Sequence, residues 1–384
     1  MDHLWLLTVR SGRRVPALQS LLLSLSLLVS WVGAGEPRPP ARPEGQSPSR
    51  PAPETQAPPR VFHYTMSGGV RILLFWANRD DVGGGRIVLS GEPDSAPSTW
   101  REEVQVLFGS KPERVPGKVN RWGYGREWST WRRGEAGSRP VPLSSVFEGF
   151  IRHSSEETAD QVAASVRSEN DQQSYWYDGM RSTVLEDRAL ADVRIFATSS
   201  DFDYRNPDPI FESYRLRLAA GPPDRTRQID RRTGPEAVPC GFLTAMRLLI
   251  LRLTADPASL NELKAGGSPK SLIYYYGARP YRLRIRKVRD PEDFEAPAVR
   301  GMSAGDERSI RFQRVSRVSF QVLNLQNQSR SDFDLWVPLE GPLRGIPLRI
   351  EHKPRWWLRV RLDLILDPAG NPVAGLDAPE QSGS

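Results

Sequence analysis

The chain has 384 residues, of which 38% are hydrophobic, and this length suffices for one large domain or two ordinary ones. Its 53 Lys and Arg residues outweigh its 46 Asp and Glu residues, but they form no dense basic block, so the net charge of +7 does not indicate a nucleic-acid-binding protein. The single cysteine, Cys240, excludes an internal disulfide, so the core must hold the fold.

The first 35 residues have the pattern of a secretory signal peptide. Basic residues up to Arg14 precede an uncharged run over residues 15–35 that ends in small residues. These are the three parts of such a signal, so we expect export to the periplasm or cell envelope, with cleavage after Ala34 or Gly35. The alternative is an anchor in the inner membrane formed by residues 15–35, because about 20 apolar residues can span a bilayer.

The signal is followed by a proline-rich linker. Residues 36–60 contain nine prolines, and such a composition favours an extended, semi-rigid spacer. The folded region is predicted over residues 61–366, either as one unit or as two subdomains divided near residues 207–223. Residues 367–384 lack apolar content and are predicted to be a disordered tail.

Strand patterns dominate the first half of the folded region, because apolar and polar residues alternate in short segments. The predicted strands are 70–76, 86–89, 100–108, 174–177, 180–185, 193–198 and 214–218. Two turns are expected between paired strands: an Asp/Gly-rich turn over residues 78–85 and a two-residue turn at Asp178-Gly179.

Two helices are predicted. Ser154 followed by Glu157 has the spacing of a capping box, and good helix formers continue to residue 167. Apolar residues at three- and four-residue steps over residues 241–254 indicate an amphipathic helix that faces the core. Cys240 directly precedes this helix and is expected to be buried.

The last third has the clearest strand pattern, with one apolar and one polar face. The predicted strands are 272–276, 281–288, 312–322, 333–337, 346–350 and 356–364, and residues 277–280 connect the first two as a hairpin. Short connections favour pairing of sequential strands. We therefore predict a mostly β fold (β-rich α+β), in which an antiparallel meander forms a curved sheet or open barrel packed on one or two helices.

No motif for catalysis or for a cofactor is present. His63, His153 and His352 are far apart and lack the spacing of metal ligands, so we expect no metal site and assign no catalytic residue. The acidic segment 201–208 lacks the glycine of a calcium loop. Adjacent acids such as Glu102-Glu103 are interpreted as surface charge.

A segment rich in tryptophan and arginine is the candidate ligand site. Its residues are Arg121, Trp122, Tyr124, Arg126, Trp128 and Trp131. Aromatic rings stack on sugars, and arginine pairs with phosphate or carboxylate groups. The alternative is a strand pair whose indole rings cover the core while the arginines face solvent.

The closing strands carry a resemblance to a known family. Asp334-Leu-Trp-Val-Pro-Leu339, Gly345-Ile-Pro-Leu-Arg-Ile350 and the alternating strand over 356–364 resemble the end of the exported bacterial family called domain of unknown function 3108. The helix and hairpin over residues 240–288 stand in the order that this family suggests. The resemblance implies a β-rich envelope protein and brings no catalytic residues.

Three functions are compatible with the sequence. The one we favour is a non-enzymatic envelope protein that binds or carries a lipid or another apolar ligand, because a curved sheet has a concave apolar side. The second is a glycan-active hydrolase or glycan-binding module that uses residues 121–133. The third is a surface scaffold held by the proline-rich linker. We expect no nucleic-acid partner and no cofactor, and membrane contact only through residues 15–35 if they are retained.

Overall fold

A computed structural model of the chain describes residues 58–72, 75–93, 98–115, 122–133, 140–152, 175–198, 208–219, 222–231, 234, 236–254, 261, 265, 271–297, 309–355, 357–367 and 369–373. The predicted signal, most of the linker, the predicted helix at 154–167, the acidic segment over 201–207 and Arg121 lie outside these residues. Within them, neither helix is long and apolar enough to cross a membrane.

The described chain is built from fifteen strands and two α-helices. The first eight strands are β1 Arg60–Ile72, β2 Phe75–Pro93, β3 Thr99–Ser110, β4 Trp122–Arg132, β5 Val141–Arg152, β6 Tyr175–Val184, β7 Arg188–Thr198 and β8 Arg225–Asp230. The others are β9 Ser271–Tyr276, β10 Arg279–Val288, β11 Glu292–Pro297, β12 Ser309–Asn324, β13 Arg330–Pro338, β14 Arg349–Arg355 and β15 Leu358–Leu364. The helices are α1 Asp208–Ala219 and α2 Phe242–Thr254.

All strands belong to one antiparallel sheet that is not closed. The strand order is β8-β7-β6-β5-β4-β3-β2-β1-β15-β14-β13-β12-β10-β9, with β11 paired to β12. Strands on both sides of residues 207–223 therefore share this sheet. The first strand pairs with the last, with Tyr64 opposite Leu364. The predicted fold class, a curved antiparallel meander packed on helices, is confirmed.

The hairpin formed by β9 and β10 is also confirmed, with a tighter turn than predicted. Tyr276 pairs with Arg279, so only Gly277 and Ala278 connect the strands. Both have positive φ angles, of 59° and 51°. This conformation matches the twist of the flanking strands in a two-residue hairpin.

The predicted turn over residues 78–85 is wrong, because β2 runs through it. Arg71 pairs with Trp76, so the chain reverses earlier. The glycines of this segment serve packing between strands: a Cβ on Gly83 would lie 2.3 Å from the carbonyl oxygen of Gly109 on β3. The pairing of β1 with β2 is irregular near this segment. The register shifts at a bulge between Met66 and Gly68, and Asp81 has a positive φ of 55°.

Two further predictions in the middle of the chain are wrong. β6 continues straight through Asp178-Gly179, and the predicted strand 214–218 lies within helix α1. Both segments meet where Tyr214 of α1 packs against Gly179 of β6. A Cβ on Gly179 would lie 2.7 Å from the ring of Tyr214, so the glycine allows α1 to pack closely on the sheet and does not form a turn.

Helix α2 is the centre of the main core. The predicted helix faces the core, but it is buried on nearly all sides and not on one apolar face alone: eleven of its thirteen residues are buried. It packs on one side of the sheet, here called the α2 face. The apolar side chains of this core come from strands β1 to β4 and β9 to β15 and include Phe62, Tyr64, Val106, Tyr274, Leu283, Phe320, Leu335 and Leu364.

The β9–β10 hairpin also lies against the α2 face of β5, β6 and β7. The rings of Phe147 and Tyr276 are 5.1 Å apart. Val184 and Ala189 form a second apolar cluster with Ile273 and Tyr275. The sheet thus curls around α2 until strands from the two ends of its order pack side chain to side chain.

Two polar contacts fix α2 within this apolar core. Arg247 forms an ion pair with Glu102 of β3, and both residues are 6% exposed. The interpretation of Glu102 as surface charge is therefore wrong. At the N-terminus of the helix, the backbone N–H groups of Gly241 and Leu243 donate to the carboxylate of Glu127 at 3.0 and 2.8 Å. A carboxylate in this position satisfies free N–H groups and interacts favourably with the helix dipole.

The change Glu127→Gln is expected to lower the free energy of unfolding by about 1–2 kcal/mol, because it removes the negative charge at the helix N-terminus and replaces one acceptor oxygen by an NH₂ group, while the Ser145 hydroxyl still accepts from the Gly241 N–H at 2.7 Å. Urea denaturation measures this loss. The exposed Glu92, which pairs with Arg101 at 3.7 Å, provides the control Glu92→Gln, with an expected change below about 0.5 kcal/mol. Equal stability of the two variants would contradict the capping role.

Cys240 is a free, fully buried thiol, as predicted. Burial raises its pKa, and the nearby Glu127 carboxylate raises it further. The segment from Glu236 to Cys240 covers the edge of β9. The N–H of Ile273 donates to the carbonyl oxygen of Glu236, and the N–H of Tyr275 donates to the carbonyl oxygen of Cys240. The cysteine thus lies where the chain passes from the sheet edge into helix α2, and its position is structural.

Candidate functional site

The predicted tryptophan and arginine cluster does not form a single site. In β4, alternate side chains point to opposite faces of the sheet. Trp122, Tyr124, Arg126 and Trp128 lie on the side that α1 covers, here called the α1 face. Trp131 lies on the α2 face, and Arg121 is outside the described residues.

Trp131 belongs to the main core and is 1% exposed. Its indole stacks on Trp100 with a centroid distance of 6.0 Å, and its Nε1–H donates to the hydroxyl of Ser129 at 2.7 Å. The guanidinium of Arg247 lies 5.3 Å from its ring centroid. These contacts give Trp131 a structural role beside the Glu102–Arg247 pair.

The α1 face carries a compact group of apolar and aromatic side chains. This aromatic cluster consists of Leu107, Trp122, Tyr124, Phe150, Tyr177, Phe196, Ile210, Phe211 and Tyr214. The last three belong to α1 and the others to the sheet. Phe150 lies near the centre, with its ring 4.4 Å from Tyr214 and 5.2 Å from Trp122.

A charged strip borders the aromatic cluster on the same face. Arg126 contacts Glu148 at 3.2 Å and Glu103 at 3.9 Å, and its guanidinium lies 4.7 Å from the ring centroid of Trp128. Arg181 approaches Glu148 from the next strand at 3.6 Å. The α1 face therefore combines an apolar floor with guanidinium groups at its margin, which is the chemistry of a site for an amphipathic molecule.

Helix α1 covers the cluster with Ile210, Phe211 and Tyr214. Ile210 and Tyr214 are buried beneath it, and the Tyr214 hydroxyl donates to the carbonyl oxygen of Met180 at 3.3 Å. Burial raises the pKa of Tyr214. Leu216 on the same helix is 62% exposed, so α1 presents apolar surface outward as well as inward.

The sequence analysis missed most members of the aromatic cluster. Phe150, Tyr177 and Phe196 follow Trp122 and Tyr124 across strands β5, β6 and β7, and they meet only because the strands pair in sequential order. Phe211 and Tyr214 come from a helix that the pattern did not indicate. The sequence did contain one signal for this arrangement. Side chains alternate between the two faces of β4, which places Trp122 and Tyr124 on one face and Trp131 on the other.

No group of three or more potential metal ligands occurs among the described residues. His352 is 2% exposed, and its Nδ1–H donates to the carbonyl oxygen of Asp332 at 2.9 Å, while Nε2 has no partner in the described part of the chain. Burial lowers its pKa to about 4, and Asp332 opposes this shift. The histidine is therefore a neutral core residue.

A concave region lies over strands β10 to β14, with a volume of about 430 Å³. Acidic and basic side chains line it together: Arg286, Lys287, Asp332, Asp334, Glu351 and Lys353. Several of them already pair with one another or with neighbours, such as Lys353 with Glu351 at 3.1 Å. The arginines beside the aromatic cluster are paired with carboxylates in the same way, so it is the apolar cluster that makes the α1 face the more suitable site for an amphipathic ligand.

Comparison of the chain with protein-family models, with curated proteins and with solved structures found no match.

Proposed function

We propose that the protein is a non-enzymatic component of the cell envelope that binds a lipid or another amphipathic ligand between α1 and the sheet. The observation that supports this most is the aromatic cluster, which lies on the side of the sheet away from the main core and beneath one short helix. The core around α2 already stabilises the fold. The aromatic cluster is a second apolar layer on the opposite face of the sheet, where an acyl chain or a ring can take the place of the α1 side chains.

The charged strip supports the same proposal. Arg126 and Arg181 stand beside the apolar floor, and arginine recognises phosphate and carboxylate groups through several N–H donors at once. An acyl chain on the aromatic cluster would place its headgroup near these guanidinium groups. Residence in the envelope follows from the predicted signal and linker, and it agrees with the family that the closing strands resemble.

Quenching of tryptophan fluorescence by a brominated fatty acid tests the proposal, because bromine quenches only indoles that it approaches closely. Trp122 lies in the aromatic cluster and Trp131 in the core on the opposite face, which makes them a matched pair. The intensity lost by quenching is expected to fall to about half or less in Trp122→Phe and to stay unchanged in Trp131→Phe, since apolar contact with the aromatic cluster governs binding.

Native mass spectrometry of the purified protein complements this titration and is expected to detect a bound lipid. Equal quenching in both variants would place the fatty acid elsewhere. Absence of saturable quenching together with a ligand-free mass spectrum would refute lipid binding.

A glycan-binding module is the second candidate, and one observation favours it. Glu103 and Glu148 contact the same guanidinium, so the two carboxylates lie within roughly 10 Å of each other beside Trp128, a separation that glycosidases also use. Both are held in ion pairs with Arg126, which suits hydrogen bonding to sugar hydroxyls. Saturable binding of soluble cell-wall oligosaccharides that Trp128→Ala abolishes, without fatty-acid quenching, would favour this candidate over the first.

A further inference from the structure

The two ends of the sheet order bring three arginines together. In β8, Arg225 pairs with Val193 and Arg227 with Ala191, a buried residue of the α2 face. Arg225 and Arg227 therefore project from the α2 face at the last strand of the sheet. The β9–β10 hairpin packs against that face, and Arg279 is its first residue after the turn.

In the part of the chain that the structure describes, these arginines differ from other arginines of the sheet in having no acidic partner. Arg126, Arg317 and Arg349 each contact a carboxylate within 3.2 Å. Among the described residues, Arg225, Arg227 and Arg279 form no ion pair, and Arg225 and Arg227 are exposed to solvent. The three guanidinium groups are close enough to influence one another. Partial desolvation lowers the pKa of Arg227, and the positive charges of Arg279 and Arg225 lower it further.

One member of the group stands next to a buried residue. Arg279 lies two residues before Tyr281 on β10, so the two side chains project from the same face of that strand. Tyr281 is 6% exposed and stacks on Tyr274 at 5.5 Å, so its position is fixed by the core. A guanidinium that extends beside a fixed ring has less conformational entropy to lose when it binds a ligand.

We propose that Arg225, Arg227 and Arg279 form a binding site for a phosphate group. Three guanidinium groups without carboxylate partners repel one another, and a tetrahedral oxyanion relieves this repulsion while it accepts several charge-assisted hydrogen bonds. The site lies on the opposite face of the sheet from the aromatic cluster, and it is independent of the function proposed above. Inorganic phosphate and the headgroup of an acidic phospholipid share the required chemistry.

Isothermal titration of the purified protein with inorganic phosphate, at constant ionic strength, tests the site. The dissociation constant is expected to rise at least about tenfold in Arg227→Gln and in Arg279→Gln, because each change removes charge-assisted hydrogen bonds. Arg284→Gln is the control: this exposed arginine lies on the same hairpin, five residues beyond Arg279. It is expected to leave phosphate binding unchanged.

Thermal unfolding separates a binding role from a structural one. In the absence of phosphate, Arg227→Gln is expected to have a Tm equal to or above that of the wild type, because the change removes a repulsion. With phosphate, only the wild type and Arg284→Gln gain stability. A lower Tm of Arg227→Gln without phosphate, or the same phosphate-induced gain in all variants, would overturn the proposal.

Vesicle flotation distinguishes the two sources of phosphate. Vesicles of phosphatidylglycerol and of phosphatidylcholine are compared for the wild type and Arg227→Gln. Arginine-dependent flotation with phosphatidylglycerol identifies a lipid headgroup, and phosphate binding without flotation identifies a soluble ligand. Failure of both inorganic phosphate and phosphatidylglycerol to bind would refute the site.

Discussion

Replacement of Glu102 by Leu is expected to lower the free energy of unfolding by about 3–5 kcal/mol, because it breaks a buried ion pair by removing the carboxylate and keeping the guanidinium. Arg247 lies inside the core beside the Trp131 ring and is 6% exposed. Guanidinium chloride denaturation measures the loss. This effect is larger than that of Glu127→Gln because the interaction that is lost joins two buried charges.

The double variant Glu102→Leu with Arg247→Met is expected to recover most of that stability, since apolar residues of similar size often replace a buried ion pair without cost. Arg101→Ala in the neighbouring exposed pair is the control, with an expected change below about 1 kcal/mol. A loss under about 1 kcal/mol for Glu102→Leu would mean that the pair is hydrated, and that α2 is held by apolar packing alone.

Acidification from pH 7 to pH 4 is expected to cost about 3 kcal/mol of stability through His352 alone. In the folded protein its pKa is about 4, below the ordinary value of 6.5, because burial disfavours the charged ring. As the pH falls through this interval, the unfolded chain binds a proton that the folded chain does not bind. Stability contributed by His352 is therefore complete above pH 6.5 and decreases toward pH 4.

The variant His352→Phe isolates this contribution from that of the carboxylates. It loses the hydrogen bond to Asp332, a cost of about 1 kcal/mol at every pH. Its stability is expected to depend on pH less steeply than that of the wild type between pH 6.5 and 4. Parallel curves for the two proteins in urea denaturation would show that the ring is protonated in the folded state.

The sequence predicted the parts of the fold that depend on local pattern. The hairpin of β9 and β10, the long strand β12 and helix α2 all have a clear period of two or 3.6 residues, and short connections correctly indicated sequential pairing. Two of the failures concern glycine. Gly83 and Gly179 resemble turn residues in the sequence, but each is needed where another strand or a tyrosine ring approaches closely, and this depends on distant residues.

The candidate site was predictable only in part for the same reason. The alternation in β4 separates Trp122 from Trp131, but it does not reveal which face α1 covers. The role of Glu127 could not be predicted from its neighbours in the sequence, which are tryptophans and arginines. Its carboxylate caps a helix that begins at Phe242. The arginines at 225, 227 and 279 meet only after the sheet has curled.

The pairing of β1 with β15 has a consequence for how the chain acquires its structure. Nearly all other neighbours in the sheet follow one another directly, so they can associate as soon as each hairpin is complete. The contact of Tyr64 with Leu364 joins positions near opposite ends of the polypeptide, and closing so long a loop is entropically unfavourable. Until β15 is synthesised, one edge of β1 has no strand to pair with, and such an unpaired edge can pair with other chains. We therefore expect a holdase chaperone that binds the incomplete chain to protect β1.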